Sequence, residues 1–282
     1  MPVKAKASSP TSHVPRTVQR RRTGLAPAEE RDDLAVEEPL EIRVEGRPVA
    51  VTMRTPGHDE ELAAGFLLTE GVVTRRDDIV AITPAAAKKG GALEPNIVDV
   101  KLARPEAVDF ARLTRHVFTA SSCGLCGKAT IAAVQAKYPS LSLDEGPRIA
   151  ADVLEKMPAA LAAAQETFQL TGGLHATGLF SAEGRLLVSR EDVGRHNAVD
   201  KVLGHLLLGG RIDPSRVVLL VSGRVAFEIV QKALAARIAF IAAISAPTSL
   251  AVDFARSNGQ TLVGFLRDGR MNLYAGADRV GE

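Results

Sequence analysis

The sequence predicts an α/β protein, with a small α+β unit ahead of a three-layer α/β domain. Three observations carry that expectation. Through the second half, short apolar runs alternate with helical patterns, the rhythm of strands and helices around a largely parallel sheet. The region before residue 112 instead shows a tight hairpin signal and one helix. Apolar residues make up 46% of the 282, enough to fill the core of one large domain or two modest ones.

Residues 1–34 are rich in Pro, Ser and charge, with Lys4, Lys6, Arg16, Arg20, Arg21 and Arg22 ahead of Glu29, Glu30, Asp32 and Asp33. Such a stretch buries little, so a disordered basic tail is expected there. The run Arg20-Arg21-Arg22 is followed by Thr23-Gly24-Leu25-Ala26-Pro27 instead of the apolar segment an export signal needs. Residues 35–112 form the α+β unit. Positions 40–44 and 49–53 alternate apolar and polar around Glu45-Gly46-Arg47, a hairpin. Thr55-Pro56-Gly57-His58-Asp59 then turns into a helix with Leu62, Ala63, Phe66 and Leu67 on one face and Gly71 closing it. Residues 96–102 alternate again as a strand. Residues 113–147 hold a mobile cysteine loop and a following helix, with a short strand at 116–119 leading in.

The α/β domain spans 148–282. It opens with a helix from about 150 to 169. Strands at 176–180 and 186–189 pair across Glu183-Gly184, and a helix with Val199, Val202, Leu203, Leu206 and Leu207 on one face follows. Then come a strand at 217–221, a helix at 226–237, a strand at 241–245, a helix at 249–257, and strands at 262–266 and 272–274.

Net charge is only +2, Trp is missing and there are two Tyr, which excludes a basic, ring-lined nucleic-acid face. No apolar run approaches the roughly 20 residues a bilayer span needs. Two cysteines without an export signal point to a reducing cytoplasm, where a close pair is reactive more often than structural.

Those cysteines lie in Ser121-Ser122-Cys123-Gly124-Leu125-Cys126-Gly127-Lys128, ahead of an apolar run with helical character. A helix start favours thiolate, and a second thiol three residues on can attack any sulfur–sulfur bond the first one forms. Four roles compete. Zinc needs about four ligands, and the scattered histidines offer no second pair. The His-x-Glu and Pro-Cys-x-x-Cys of a zinc deaminase are not matched by His175-Ala176-Thr177 and the cysteine loop. Two buried structural thiols suit the flanking glycines poorly. A thioredoxin-like oxidoreductase leaves the long second half unexplained, whereas a persulfide carrier uses an accessible thiol, a flexible arm and an acceptor pocket.

An acceptor site is expected beyond the carboxyl ends of the strands. The loops there are Arg190-Glu191-Asp192-Val193-Gly194-Arg195-His196-Asn197, Ser222-Gly223-Arg224 and Ala246-Pro247-Thr248-Ser249, with Phe265-Leu266-Arg267-Asp268-Gly269-Arg270 at the last turn. Helix N-termini and guanidinium groups bind phosphate, so an anionic, nucleotide-like ligand is expected. Each loop also has a plainer reading. Ser222, Thr248 and Ser249 suit helix N-caps, Asp192 suits the cap of its helix, and Arg195 can pair with Glu191.

In this order the motifs resemble the formate dehydrogenase accessory sulfurtransferases, the FdhD family. Beside the cysteine loop and the loops above, the resemblance rests on Thr55-Pro56-Gly57-His58-Asp59-Glu60-Glu61-Leu62, on Thr171-Gly172-Gly173-Leu174-His175, and on Ala198-Val199-Asp200-Lys201. It runs from about residue 38 to 280. It implies a cytoplasmic homodimer that takes sulfur from a cysteine desulfurase. The sulfur passes to the molybdenum cofactor, in its bis-molybdopterin guanine dinucleotide form, before insertion into formate dehydrogenase. It implies that Cys123 carries the sulfur, with Cys126 as its neighbour, and that the second domain resembles the cytidine deaminase fold. There the deaminase zinc turns correspond to Val193-Gly194-Arg195-His196 and Ser222-Gly223-Arg224, given over to phosphate binding with no metal. The cofactor contacts implied are Phe265, Leu266, Arg267, Asp268, Gly269, Arg270, Arg195, His196, Ser222, Gly223, Arg224, Thr248 and Ser249. A different role, a cofactor-binding chaperone that moves no sulfur, shares the phosphate site and differs only in whether the thiols are essential.

Overall fold

The structure, a computed structural model, describes residues 11–86, 93–110, 113, 138–142 and 144–282. Cys123, Cys126, the strand expected at 116–119 and the helix expected beyond Lys128 lie outside the described residues.

Part of the expected tail is ordered. Strands β1 (His13–Arg20) and β2 (Ala28–Ala35) form an antiparallel hairpin, so the expectation of disorder across 1–34 fails from residue 13 onward. Its charge order explains why. Folded back, the basic half faces the acidic half, and Arg20 pairs with Glu30 at 3.0 Å and Asp32 at 3.5 Å. At its base Ser12 Oγ hydrogen-bonds Thr167 Oγ1 at 3.0 Å.

Strands β3 (Glu38–Val44) and β4 (Arg47–Arg54) form the expected hairpin, turning through Glu45 and Gly46 at φ 51° and 75°. With β5 (Ile79–Ala86) and β6 (Leu93–Leu102) they make a four-stranded sheet in the order β4-β3-β6-β5. Helix α1 (Asp59–Thr69) covers one face of it, burying Leu62, Ala63 and Leu67 in the same core as Leu40, Ile42 and Val44.

The helix expected over 150–169 is two helices. After the short β7 (Ile149–Ala150), α2 (Ala151–Ala163) ends and α3 (Glu166–Thr171) restarts beyond Gln165. The cause is tertiary: the Glu191 carboxylate accepts from the backbone N–H groups of Thr167 at 3.0 Å and Phe168 at 2.7 Å. An acidic side chain at a helix start satisfies its free N–H groups, which stabilises a new helix there.

The second sheet has six strands: β8 (His175–Ser181), β9 (Leu186–Asp192), β10 (Val217–Val221), β11 (Phe240–Ala243), β12 (Thr261–Arg267) and β13 (Arg270–Ala275). Their order is β13-β12-β11-β10-β8-β9, with β10, β11 and β12 parallel and the flanking pairs antiparallel. The parallel portion is therefore three strands, with β10 and β11 fully buried and β12 buried from Thr261 to Gly264, as central parallel strands are. Helix α2 covers one face, packing Leu154, Met157 and Leu161 on Phe180, Val218 and Phe240. Helices α4 (Arg195–Gly209), α5 (Phe227–Ala235) and α6 (Ser249–Ser257) cover the other. The short β14 (Val280–Gly281) pairs with β7. The three expected layers are present.

The two sheets share one core through α1 and α4. These helices cross at backbone contact, because a Cβ on Gly65 would lie 1.8 Å from the Asp200 carbonyl oxygen, and one on Gly204 would lie 1.8 Å from that of Glu61. No helix among the described residues is long and apolar enough to cross a membrane.

Candidate functional site

Strand β9 runs antiparallel to β8, which runs antiparallel to β10, so β9, β10, β11 and β12 all end at one edge, where β8 begins. The four loops singled out in the sequence follow those ends. Three of the loops are locked from below, which explains several residues as scaffold.

Asp192, fully buried at the end of β9, is the hub of the first loop. One carboxylate oxygen accepts from the Gly194 N–H at 2.8 Å and Asn197 Nδ2 at 3.0 Å. The other meets Lys201 Nζ at 2.7 Å and the Thr55 N–H at 3.1 Å. Lys201 Nζ also donates to the Thr55 carbonyl at 2.8 Å, and Asn197 Nδ2 to that of Met53 at 2.7 Å. The Thr55 motif therefore welds the α+β unit to the start of α4, with Gly194 as N-cap. Arg195 makes no pair with Glu191, whose carboxylate is committed to α3.

Ser222 does not cap a helix. Its Oγ accepts from the Ala176 N–H at 2.9 Å while its own N–H donates to the Ala176 carbonyl at 2.9 Å, tying the end of β10 to β8. Thr248 does cap α6, accepting from the Ala251 N–H at 3.4 Å, and Ser249 is the exposed first residue of that helix. Thr248→Ala should lower stability by about 0.5–1 kcal/mol in thermal melts, the cost of a lost N-cap bond. A larger loss would show Thr248 doing more than capping.

In the last loop, Phe265 holds a left-handed backbone at φ 52° and donates its N–H to the Ser245 carbonyl at 3.1 Å. The sheet bulges between Gly264 and Arg267, and Asp268 and Gly269 close the turn at φ 54° and 69°. A side chain other than glycine at positive φ is strained, and such strain gathers at binding sites. The Arg267 guanidinium lies 5.8 Å from the Phe265 ring centre. Leu266 differs from its neighbours in that its side chain is fully buried in the core under α2, which leaves only its backbone for a contact. Asp268, Gly269 and Arg270 are exposed.

The charge balance of this edge is one-sided. Among the described residues, Arg195, Arg224, Arg267 and Arg270 have no carboxylate within 4.0 Å, whereas Arg54 and Arg190 deeper in the fold are paired. Arg195 Nε and His196 Nε2 are buried without a hydrogen-bond partner. Burial, with Lys232 and Arg195 nearby, pushes the His196 pKa down to about 3, so its ring is neutral. His175 stands with them: a Cβ on Gly223 would lie 3.3 Å from its Nδ1 and 3.9 Å from Arg195 Cδ. Unpaired guanidinium groups, orphaned nitrogens and the start of α4 make this edge suited to an anion.

A sequence pattern of the FdhD/NarQ family matches residues 35–281. The chain belongs to the FdhD/NarQ family. It is 50% identical over 270 residues to the sulfur carrier protein FdhD of Nocardia farcinica, covering 94% of this chain and 95% of that one. It is 53% identical over 253 residues to the sulfur carrier protein FdhD of Streptomyces coelicolor, covering 88% and 89%. The crystal structure of a putative formate dehydrogenase accessory protein from Desulfotalea psychrophila shares the fold, with a TM-score of 0.75 at 24% identity over 96% of this chain and all of that one. The FdhD/NarQ match begins at residue 35, so nearly all of the β1–β2 hairpin lies ahead of it.

Proposed function

We propose that this chain is a sulfur carrier that serves the maturation of formate dehydrogenase. Relatives at 50% and 53% identity along nearly the whole chain, each named a sulfur carrier protein, support the carrier role. The observation that carries the acceptor half is the edge at which, among the described residues, four arginines have no carboxylate within 4.0 Å.

In this reading Cys123, as thiolate, attacks the outer sulfur of a cysteine desulfurase persulfide. A bond forms between Cys123 Sγ and that sulfur, the donor's sulfur–sulfur bond breaks, and the donor leaves as thiolate. The product, Cys123–S–SH, delivers its sulfane sulfur either directly or after Cys126 attacks Cys123 and sulfide leaves. The cargo that receives it is the molybdenum cofactor as bis-molybdopterin guanine dinucleotide, a substrate and not a resident group. Its phosphates fit Arg195, Arg224, Arg267 and Arg270 and the N–H groups of α4. Phe265 and its strained turn supply an apolar face beside them.

The test uses guanosine diphosphate (GDP), which bears the phosphate chemistry of the cargo. The double substitution Arg195→Gln with Arg224→Gln should weaken its binding by about tenfold or more, as expected for losing charge-assisted hydrogen bonds. Loading of sulfur from a cysteine desulfurase should stay at the wild-type level. Unchanged GDP affinity in the double variant would place the cargo elsewhere.

A further inference from the structure

We propose that His175 is a direct contact of the cargo's phosphate, meeting it as an imidazolium, so that capture of the cargo takes up one proton from solvent. This rests on the cargo reading above and adds a residue and a proton to it.

The placement is the first ground. His175 opens β8 opposite Asp192, at the edge where the four loops converge. Its ring is partly exposed, and among the described residues neither ring nitrogen has a hydrogen-bond partner in the protein. It lies directly on Gly223, where any Cβ would come within 3.3 Å of Nδ1 and 3.5 Å of Cε1. Arg195 Cδ meets the same point at 3.9 Å. His175, Gly223 and Arg195 thus form one continuous surface, in which the partly exposed imidazole faces the same edge as the arginine.

The charges around the ring are the second ground. Asp192 faces it from the end of β9, Arg195 and His196 from α4, and Arg224 from the loop after β10. Asp192 is already committed to Lys201, Gly194, Asn197 and Thr55. Burial, then Arg195 and Arg224, hold the ring's pKa below its ordinary value, and Asp192 offsets this only in part. Without cargo the ring is therefore neutral at pH 7. A phosphate bound between Arg195 and Arg224 cancels their push and adds its own attraction for the proton. His196 is pressed down to about 3 and stays neutral throughout, so the proton belongs to His175.

The direction of the pH effect follows. Affinity is flat at high pH, where the ring is neutral in both states. It rises as pH falls through the raised pKa of the complex, and it levels off below the depressed pKa of the free protein. One proton per ligand gives a slope of up to about tenfold in affinity per pH unit.

The experiment is calorimetric titration of the full chain with GDP, in buffers of different ionisation enthalpy, from about pH 5.5 to about pH 8, the window of a shifted imidazole. His175→Gln keeps a polar side chain but cannot titrate, and it controls for the protonation of the nucleotide itself. The wild type should take up more protons per GDP than His175→Gln, by a difference that approaches one. Arg224→Gln tests the same claim with the imidazole in place. Arg224 is exposed, and its removal relieves the push on the free ring, so the uptake should shrink. Equal uptake in the wild type and His175→Gln, or undiminished uptake in Arg224→Gln, would overturn the assignment of the proton to His175 and leave the cargo reading standing. Failure of the wild type to bind GDP at all would overturn both.

Discussion

Gly204→Ala is expected to destabilise the fold by about 3 kcal/mol or more, the upper range for overpacking a filled core. The new methyl would lie 1.8 Å from the carbonyl oxygen of Glu61 and 2.9 Å from the backbone nitrogen of Gly65, so no rotamer change can make room. Helices α1 and α4 would have to part by more than about 1 Å to restore an ordinary carbon–oxygen contact. That crossing joins the two sheets and sets α4, whose first residues include Arg195 and His196 with their unpartnered nitrogens. Gly209→Ala is the control, since a Cβ there meets nothing within 4 Å. It should be neutral or gain up to about 1 kcal/mol from the better helix former. Urea unfolding followed by circular dichroism reads both. A Gly204→Ala midpoint that matches Gly209→Ala would refute the backbone crossing.

Cys123→Ser should abolish maturation of formate dehydrogenase in cells that lack their own copy of this protein, while the variant folds and binds GDP as the wild type does. A serine hydroxyl stays protonated where a thiol ionises, and it cannot form a sulfur–sulfur bond with a donor persulfide. Cys126→Ser sharpens the test. It should keep the ability to load sulfur, and its maturation activity chooses between direct transfer and release through a disulfide. A Cys123→Ser protein that still matures the enzyme would leave the chain as a cofactor-binding chaperone.

Much of the fold was legible because local pattern and tertiary role agree. The strands at 40–44 and 49–53, the turn at Glu45-Gly46 and helix α1 appear where local pattern puts them, but Val51 and Met53 of β4 are exposed and α1 is buried nearly all round, not on one face. Where tertiary contacts decide, periodicity fails. The Ala-rich run after residue 150 has no local reason to break, and it breaks because Glu191, far along the chain, receives the N–H groups of α3. The charged N-terminal stretch reads as solvated until its two halves are paired in space. In the site, Arg195 and Arg224 were legible as guanidinium groups in loops near helix starts, whereas the Arg195–Glu191 pair that the sequence also allowed is not made, because Glu191 is committed to α3. The role of Asp192 as hub was not, because nothing local announces that Thr55 and Lys201 will meet it. Leu266 shows the limit of carrying a motif over whole: the stretch that holds Arg267 and Arg270 includes one side chain that belongs to the core.

In the proposed function sulfur rides on Cys123. Intact-mass spectrometry of the full chain, after incubation with a cysteine desulfurase and cysteine, tests it directly. The expected result is a gain of one sulfur, about 32 Da, as a persulfide that reductant removes and that Cys123→Ser does not acquire. No gain under conditions that load an established acceptor, or the same gain in Cys123→Ser, would contradict it.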